Sequence, residues 1–262
     1  MIGRSRIVGW LAAAALLLAA PALAASCNPF VSQNPLLQRA ADTPQGVVDL
    51  TFLGHASFLI ESPAGVTIVT DYNGYIRPPA LPDIVTMNHA HRTHYTDTPE
   101  PGIKYVLRGW DTGEGPPNYD FHFGDVRIRN VLTNTRSWEG GGTEFGGNSI
   151  FVFEIADLCI AHLSHLHHTL TPEHLAQLGQ IDVLIAPADG MFTLSQTDMI
   201  EVIEQIHPLI VIPMHFFGPA ALERFIARMN GRYPLTRSPS ATVALSRAML
   251  PKATEILVLP GY

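Results

Sequence analysis

The order of the apolar segments constrains the fold of this chain most strongly. Short apolar runs of strand length follow one another through the first half, and turn residues such as 62–65 (Ser-Pro-Ala-Gly) separate them. In the second half, apolar strands alternate with amphipathic helices, the first of which begins at Thr171 with Pro172 in its first turn. This order predicts a single α/β domain, a four-layered αββα sandwich with two sheets inside and helices outside.

The individual segments follow from apolar runs and from turn residues. The stretch 139–147 holds five glycines and is predicted to be a loop. Helices are predicted after Thr171, after Ser195 and around Leu222–Met229. The predicted strands are Val47–Leu53, Ser57–Glu61, Val66–Thr70, Asp83–Met87, Asp120–Leu132, Asn148–Leu163 (a pair that meets at Ala156-Asp157), Asp182–Pro187, Leu209–Met214 and Thr254–Leu259.

Residues 1–24 have the pattern of a secretory signal peptide. Two arginines precede an apolar run over 7–20, and small residues at Ala22 and Ala24 fit a cleavage site. We therefore expect an irregular lead-in over 25–46, a domain over 47–262, and a periplasmic or secreted protein. An uncleaved membrane anchor is one alternative, although the run is shorter than the ~20 residues of a membrane span. A lipid anchor on Cys27 is another.

The charge and the cysteine content limit which partners the protein can have and in which compartment it can lie. Residues 1–24 hold two arginines and no acidic residue, so cleavage would leave 14 basic and 23 acidic residues and a net charge of −9. Such a chain repels nucleic acid and anionic lipid, and we expect a small-molecule substrate and no stable membrane insertion after cleavage. Cys27 and Cys159 form either a disulfide, as an oxidising compartment would allow, or two unpaired thiols.

Histidines cluster at the ends of three predicted buried strands. Imidazole is a ligand for zinc, iron, copper and nickel, and a metal site needs three or four ligands that converge. The clustering therefore predicts a metal site, whereas His122, His174 and His207 lie elsewhere and are predicted to be structural. The clustered histidines are His89, His91 and His94 after the first of these strands, His162, His165, His167 and His168 after the second, and His215 after the third.

Four segments resemble motifs of the metallo-β-lactamase superfamily. The segment 89–94 (H-A-H-R-T-H) resembles the signature HxHxDH. The segment 53–60 (L-G-H-A-S-F-L-I) is similar to the opening of the branch that contains ascorbate-6-phosphate lactonases and N-acyl-phosphatidylethanolamine phospholipases. The segments 160–168 and 212–215 are similar to that branch's H-L-G-D-x-G-H and last-ligand motifs. The resemblance spans about residue 47 to the C-terminus and implies a metal-dependent hydrolase.

The resemblance also implies a set of metal ligands. They are His89, His91 and His162 for a first metal, and His94 and His215 for a second, which His165 would join if two metals are bound. Thr93 and His165 stand where the family has aspartates, so both carboxylates of the second site are missing. Two divalent cations about 3.5–4 Å apart repel, and carboxylates normally offset this repulsion. We therefore favour a single zinc on the first set, with a histidine-bound metal pair and an inactive site as alternatives.

Further residues are candidates for supporting roles. The resemblance implies that Asp71, at the end of its strand, fixes the tautomer of a ligand histidine. His55 and His168 are predicted to line the pocket and to handle substrate or protons, and His167 is a further candidate. Asp189 also follows a strand and is either a general base or a turn residue.

These observations favour an exported metal-dependent hydrolase. The expected reaction is attack by metal-activated hydroxide on an ester, lactone, amide or phosphodiester. A G-x-S-x-G nucleophile motif is absent from the sequence. The alternatives are a non-catalytic metal-binding or sensing protein on the same fold, and an iron-dependent redox enzyme.

Overall fold

The computed structural model describes Cys27 and residues 46–137, 141–229 and 231–261. The predicted signal peptide over 1–24 lies outside the described residues, as does the predicted lead-in apart from Cys27 and Gly46. Among the helices in the described ranges, none is both long and apolar enough to span a membrane.

Two β-sheets and three α-helices make up the described fold. The strands are β1 Val48–Gly54, β2 Ser57–Glu61, β3 Thr67–Val69, β4 Ile84–Met87, β5 Tyr105–Arg108, β6 Asp120–Phe123, β7 Val126–Arg136, β8 Thr143–Ile155, β9 Leu158–His162, β10 Val183–Pro187, β11 Ile210–Met214, β12 Leu235–Arg237, β13 Thr242–Leu245 and β14 Glu255–Val258. The helices are α1 Pro172–Leu178, α2 Gln196–Ile206 and α3 Pro219–Met229, with a short 3-10 turn at Arg247–Met249. The first sheet has the order β13-β1-β2-β3-β4-β5, and the second β12-β14-β11-β10-β9-β8-β7-β6.

Strand β2 shows how the first sheet buries both of its faces. Phe58 and Ile60 belong to the main core, which also contains Phe153 of the second sheet. Leu59 belongs instead to a second, smaller cluster with Val85 of β4. Side chains alternate along a strand, so the two sets point to opposite faces of the sheet. The main core therefore lies between the sheets, and the smaller cluster lies outside the first sheet.

The helices lie beside the second sheet. Helix α1 contacts β7, α2 contacts β10, and α2 also contacts α3. Outside the first sheet, Tyr72, Tyr95, Ile103 and Trp110 from loops complete the smaller cluster. The predicted α/β fold with two sheets is confirmed. In the described part of the chain, however, aromatic and apolar loop residues cover the first sheet where we expected a helical layer.

The long hairpin of β7 and β8 corrects two predictions. The predicted strand Asp120–Leu132 is in fact β6 and β7, which pair antiparallel across a turn at Gly124. The predicted loop over 139–147 ends earlier, because Thr143–Gly147 belong to β8 and Glu144 pairs with Thr135. This part of β8 consists mostly of polar residues and glycines, a composition typical of loops. The composition of the segment therefore does not reveal that it forms a strand. The strands β5, β12 and β13 were not predicted because they are short and partly exposed.

Three histidines outside the predicted clusters have positions that fit structural roles. His174 completes the N-terminal capping box of α1, since its Nδ1 accepts a hydrogen bond from the backbone N–H of Thr171. His207 ends α2 in a left-handed conformation. His122 lies on the exposed edge strand β6, within 3.3 Å of Asp120.

A disulfide joins Cys27 to Cys159 of β9, with 5.8 Å between the Cα atoms. The backbone carbonyl of Cys27 accepts a hydrogen bond from Gln180 N at 2.9 Å. The sequence left open whether these cysteines are bonded, and the structure shows that they are. The bond links Cys27, which precedes the predicted domain, to strand β9 of the second sheet.

Candidate metal centre

Parallel strands bring the predicted site residues to one edge of the fold. Strands β9, β10 and β11 run parallel in the second sheet, and β3 and β4 run parallel in the first. Their carboxyl ends therefore lie at the same side of each sheet, where loops can meet. The residues that follow these strands are Asp71 after β3, His89 after β4, His165 after β9, Asp189 after β10 and His215 after β11.

The backbone is held in unusual conformations at this edge. Seven non-glycine residues in the described ranges have a positive φ, and four of them are His55, Asp71, Ser164 and His215. Such conformations cost of order 1 kcal/mol each and persist where surrounding contacts fix them. One of these contacts is the hydrogen bond from His215 N to the His55 carbonyl at 2.7 Å. The fold thus fixes the backbone from which these side chains project.

Two buried carboxylates hold two histidines. Asp71 Oδ2 lies 2.7 Å from His94 Nδ1 and also accepts a hydrogen bond from Ser164 Oγ at 2.8 Å. Asp189 Oδ1 lies 3.1 Å from His215 Nδ1. Burial raises the pKa of Asp71, although hydrogen bonds from Ser164 and from Asn88 N act in the opposite direction. When both carboxylates are ionised they only accept hydrogen bonds, so Nδ1 of each histidine carries the proton. In the neutral ring, Nε2 is then left with a lone pair, as in carboxylate–histidine–metal arrangements.

The two Nε2 atoms face each other. His94 Nε2 and His215 Nε2 are 3.2 Å apart, and both rings are fully buried. With both Nδ1 atoms protonated, two lone pairs face one another, and a cation bound to both would make this contact favourable. Two nitrogens bound tetrahedrally to one zinc at about 2.0–2.1 Å would lie about 3.3 Å apart. The observed separation therefore fits a shared metal ion.

His55 completes a group of three. Ligand atoms of His55, His94 and His215 all lie within 4.8 Å of one another. The Nε2 atom of His55 is buried and has no hydrogen-bond partner in the described residues. The His55 ring also lies 5.2 Å from that of Phe217, which covers this side of the group. Within the described ranges, these three residues form the group whose ligand atoms converge closely enough to hold a metal ion. The sequence had predicted His55 only as a pocket residue.

Three more histidines surround this group. His165 lies between His89 on one side and His94 and His215 on the other. Its ring centroid is 5.0 Å from those of His89 and His94 and 5.1 Å from that of His215. His89 Nδ1 lies 2.6 Å from the Gly147 carbonyl, and its Nε2 is buried without a partner in the described residues. His91 Nδ1 lies 2.8 Å from Thr93 Oγ1, so Thr93 orients His91. The structure thus brings five of the six predicted ligands together.

His162 is the predicted ligand that lies elsewhere. Its Nε2 lies 2.8 Å from the Ala56 carbonyl, and its Nδ1 lies 3.3 Å from the side-chain amide of Asn88. Because a carbonyl only accepts, Nε2 donates and Nδ1 accepts, and neither nitrogen keeps a lone pair for a metal. We correct the expected triad of His89, His91 and His162 accordingly. The family motif marked the position after β9, but the His162 ring packs toward Phe58 in the core.

His168 lines a cavity at the β7–β8 hairpin, as expected of a pocket residue, but its ring is not free to handle substrate or protons. Its Nε2 accepts a hydrogen bond from Asn134 N at 3.0 Å, and its Nδ1 lies 2.8 Å from the Thr169 carbonyl. Both ring nitrogens are thus held by the backbone, which leaves none for handling substrate or protons at the centre. His167 is the neighbour that reaches the cluster, with Nε2 at 3.0 Å from His165 Nδ1.

Asp189 positions His215 and is not free to act as a base. Its Oδ2 accepts hydrogen bonds from the backbone N–H groups of Met191, Phe192 and Thr193. Burial raises its pKa, but the hydrogen bonds from His215, Thr193 and Met191 outweigh burial and hold the pKa below its usual value. The carboxylate therefore stays ionised. Its position after a strand was the one sequence signal for this role, and the sequence could not distinguish it from a turn residue.

Burial sets the charge state of the imidazoles. It lowers the pKa of His94 well below the ordinary value, and the neighbouring His215 lowers it further. Burial, followed by His215, lowers the pKa of His55 to about 4. Neutral imidazole is the form that binds metals. His55 and His94 are therefore neutral, and able to bind a metal, near neutral pH.

A family model, the beta-lactamase superfamily domain, matches residues 49–215. The chain belongs to this superfamily. The matched range includes all of the clustered histidines from His55 to His215, together with Asp71 and Asp189. The superfamily predicted from the four sequence motifs is thereby confirmed.

Relatives in the superfamily are distant but similar over most of the chain. A UPF0173 protein of Pyrococcus abyssi is 25% identical over 202 residues, which are 70% of this chain and 91% of the relative. A UPF0173 metal-dependent hydrolase of Pyrococcus horikoshii is 27% identical over 191 residues, or 65% of this chain and 85% of the relative.

Solved structures show the same fold. A Thermotoga maritima protein classed as a Zn-dependent hydrolase of the metallo-beta-lactamase superfamily aligns with a TM-score of 0.59 at 26% identity, over 81% of this chain and 98% of that protein. The metallo hydrolase Igni18 of Ignicoccus hospitalis aligns with a TM-score of 0.55 at 20% identity, over 76% of this chain and 98% of Igni18.

Proposed function

We propose that this protein is an exported zinc-dependent hydrolase of esters, lactones, amides or phosphodiesters, with one metal ion held by His55, His94 and His215. The observation that carries the proposal is the 3.2 Å approach of two Nε2 atoms whose rings are each fixed by a buried carboxylate. The relatives named above as metal-dependent hydrolases support the reaction class. An all-imidazole ligand set is compatible with zinc, and the similar Thermotoga maritima protein classed as a Zn-dependent hydrolase supports that metal.

The chain's own residues provide binding and orientation. Asp71 and Asp189 keep the proton of His94 and His215 on Nδ1, so both Nε2 atoms remain available as ligands. When bound, a divalent metal supplies Lewis-acid activation of water and of the oxygen under attack. Phe217 packs against the rings of His55 and His215 and shields that side of the centre from water.

Export is supported by the disulfide. Cys27 and Cys159 are bonded, and such bonds persist in oxidising compartments. The bond also uses the thiol that a lipid anchor on Cys27 would require. Sequencing of the mature N-terminus should find a start near Ala25, whereas Met1 or an acylated Cys27 would contradict export in soluble form.

Hydrolysis is tested with chromogenic probes. We expect turnover of at least one of a p-nitrophenyl ester, a lactone and bis(p-nitrophenyl) phosphate, loss of turnover on chelation, and recovery on adding zinc. The variant His215→Ala should be inactive, while His122→Ala, on the exposed edge strand, is the matched control and should retain activity. Tight metal binding without turnover of any probe would instead favour a non-catalytic metal-binding protein.

A further inference from the structure

A cleft beside the metal centre is not accounted for by metal binding. It consists of two adjoining cavities of about 430 and 320 Å³ that share Arg136, Gly141 and His167. The first is lined also by the end of the β7–β8 hairpin, including Phe145, and the second by Met191 and Phe192. The cleft therefore lies where the hairpin meets the loops after β9 and β10.

His167 connects this cleft to the histidine cluster. Its Nε2 lies 3.0 Å from Nδ1 of His165, whose ring is 5.0 Å from that of His94. The other ring nitrogen, Nδ1 of His167, is buried and has no hydrogen-bond partner in the described residues. An unpartnered buried nitrogen is costly unless a ligand or water satisfies it. Because His167 also lines the cleft, a molecule bound there would lie next to the centre.

The cleft has a positive charge in an acidic protein. The described residues that line it include Arg136 and no aspartate or glutamate. Among the described residues, no carboxylate lies within ion-pair distance of the Arg136 guanidinium. The whole chain has a net charge of −7. An exposed guanidinium that no carboxylate of the described ranges neutralises favours an anion from solution.

Apolar side chains flank the same cleft. Phe145 is 82% exposed, Met191 68% and Phe192 45%, although residues of these types are usually buried. Phe192 also contacts Phe217 edge to face, with ring centroids 5.3 Å apart, so this apolar surface continues to the residue that covers His55. Exposed apolar surface around a concave polar site is typical of ligand binding.

We propose that the cleft selects substrates in which an organic anion, paired with Arg136, is joined to an apolar body that rests on Phe145 and Phe192. This deepens the proposed function, on which it rests, by assigning Arg136 as a specificity-determining residue. The scissile bond would lie past His167, toward His94 and His215.

Binding of a matched pair of probes tests this without turnover. The probes are 4-phenylbutyrate and its neutral amide, titrated by calorimetry into metal-loaded and chelator-treated protein. A charge-assisted hydrogen bond contributes enough for about a tenfold preference for the anion. The variant Arg136→Gln should reduce this preference to about twofold or less in both forms. Arg224→Gln on the exposed face of α3 removes the same charge and should leave the preference unchanged.

The outcomes separate this inference from the proposed function. Equal affinity of the wild-type protein for both probes, or an anion preference that survives Arg136→Gln, would overturn it. If the anion binds only to the metal-loaded form and Arg136→Gln has no effect, the anion binds the metal and the cleft proposal is wrong while the metal site stands. If Arg136→Gln abolishes the preference in a protein that hydrolyses none of the chromogenic probes, Arg136 still binds the anion in the cleft, and it is the hydrolase proposal that fails.

Discussion

Replacing Asp189 by asparagine should convert His215 to its other tautomer and weaken metal binding. Asp189 Oδ2 accepts three backbone N–H groups at 2.8, 2.6 and 3.3 Å, whereas Oδ1 faces His215 Nδ1 and the Thr193 hydroxyl. The asparagine oxygen will occupy the Oδ2 position, because only there does it satisfy three donors that cannot rotate away. Its NH₂ group then faces His215 Nδ1 and requires that nitrogen to accept.

The proton of His215 must therefore move to Nε2. That atom lies 3.2 Å from His94 Nε2, so Nε2–H forms a hydrogen bond to His94 in the metal-free protein and competes with the metal. Loss of such an orienting partner typically lowers metal affinity about 10–100-fold. This range corresponds to about 1.4–2.7 kcal/mol of binding free energy.

The assay combines calorimetric zinc titration with long-range ¹H–¹⁵N NMR of the histidine rings. We expect Asp189→Asn to show the weaker binding and a proton on Nε2 of His215. The control is Thr193→Val, which removes a hydroxyl donor to Asp189 but leaves the carboxylate facing His215. This control should bind zinc within about twofold of wild type. Unchanged zinc affinity in Asp189→Asn, with the proton still on Nδ1, would refute the reasoning.

Three further predictions concern the disulfide, the displaced histidine and a buried ion pair. The double variant Cys27→Ser, Cys159→Ser lacks the disulfide, which joins two residues 132 positions apart in the sequence. Its free energy of unfolding, measured by urea titration, should be lower by up to about 5 kcal/mol. His162→Ala should lower the free energy of unfolding by about 2–4 kcal/mol, because both ring nitrogens of His162 bond to the protein. For the same reason the metal content should not change, and loss of the metal in this variant would show that His162 is a ligand. Glu154 is fully buried and forms an ion pair with Arg129 at 2.8 Å, and Glu154→Gln removes its charge. This variant should lower the free energy of unfolding by about 3 kcal/mol, and a decrease below about 0.5 kcal/mol would contradict the prediction.

The sequence predicted the fold and most of the cluster because both depend on local patterns. The strand Ser57–Glu61 has the predicted bounds, and the turn at Ala156-Asp157 has the positive φ values of 50° and 62° that a tight hairpin needs. Histidines at strand ends converged because parallel strands align their carboxyl ends. The short strands and the loop cover of the first sheet depend on tertiary pairing, which local composition does not specify.

The chemistry of individual histidines could not be predicted in the same way. His162 and His165 are three residues apart in one motif, yet one bonds to the Ala56 carbonyl and the other lies among the clustered rings. The partner of each ring nitrogen comes from a distant segment, such as Asp189 for His215. The motif therefore predicted the kind of site, and only the three-dimensional contacts distinguish ligands from satisfied core residues.

The most direct test of the central claim is the metal content of the untagged protein and of two single variants, measured by mass spectrometry of the elements. The account predicts about one zinc ion per wild-type chain and less than about a tenth of that in His94→Ala and in His215→Ala, because each supplies one of three ligands. Wild-type protein without metal, or variants that keep their full metal content, would contradict it.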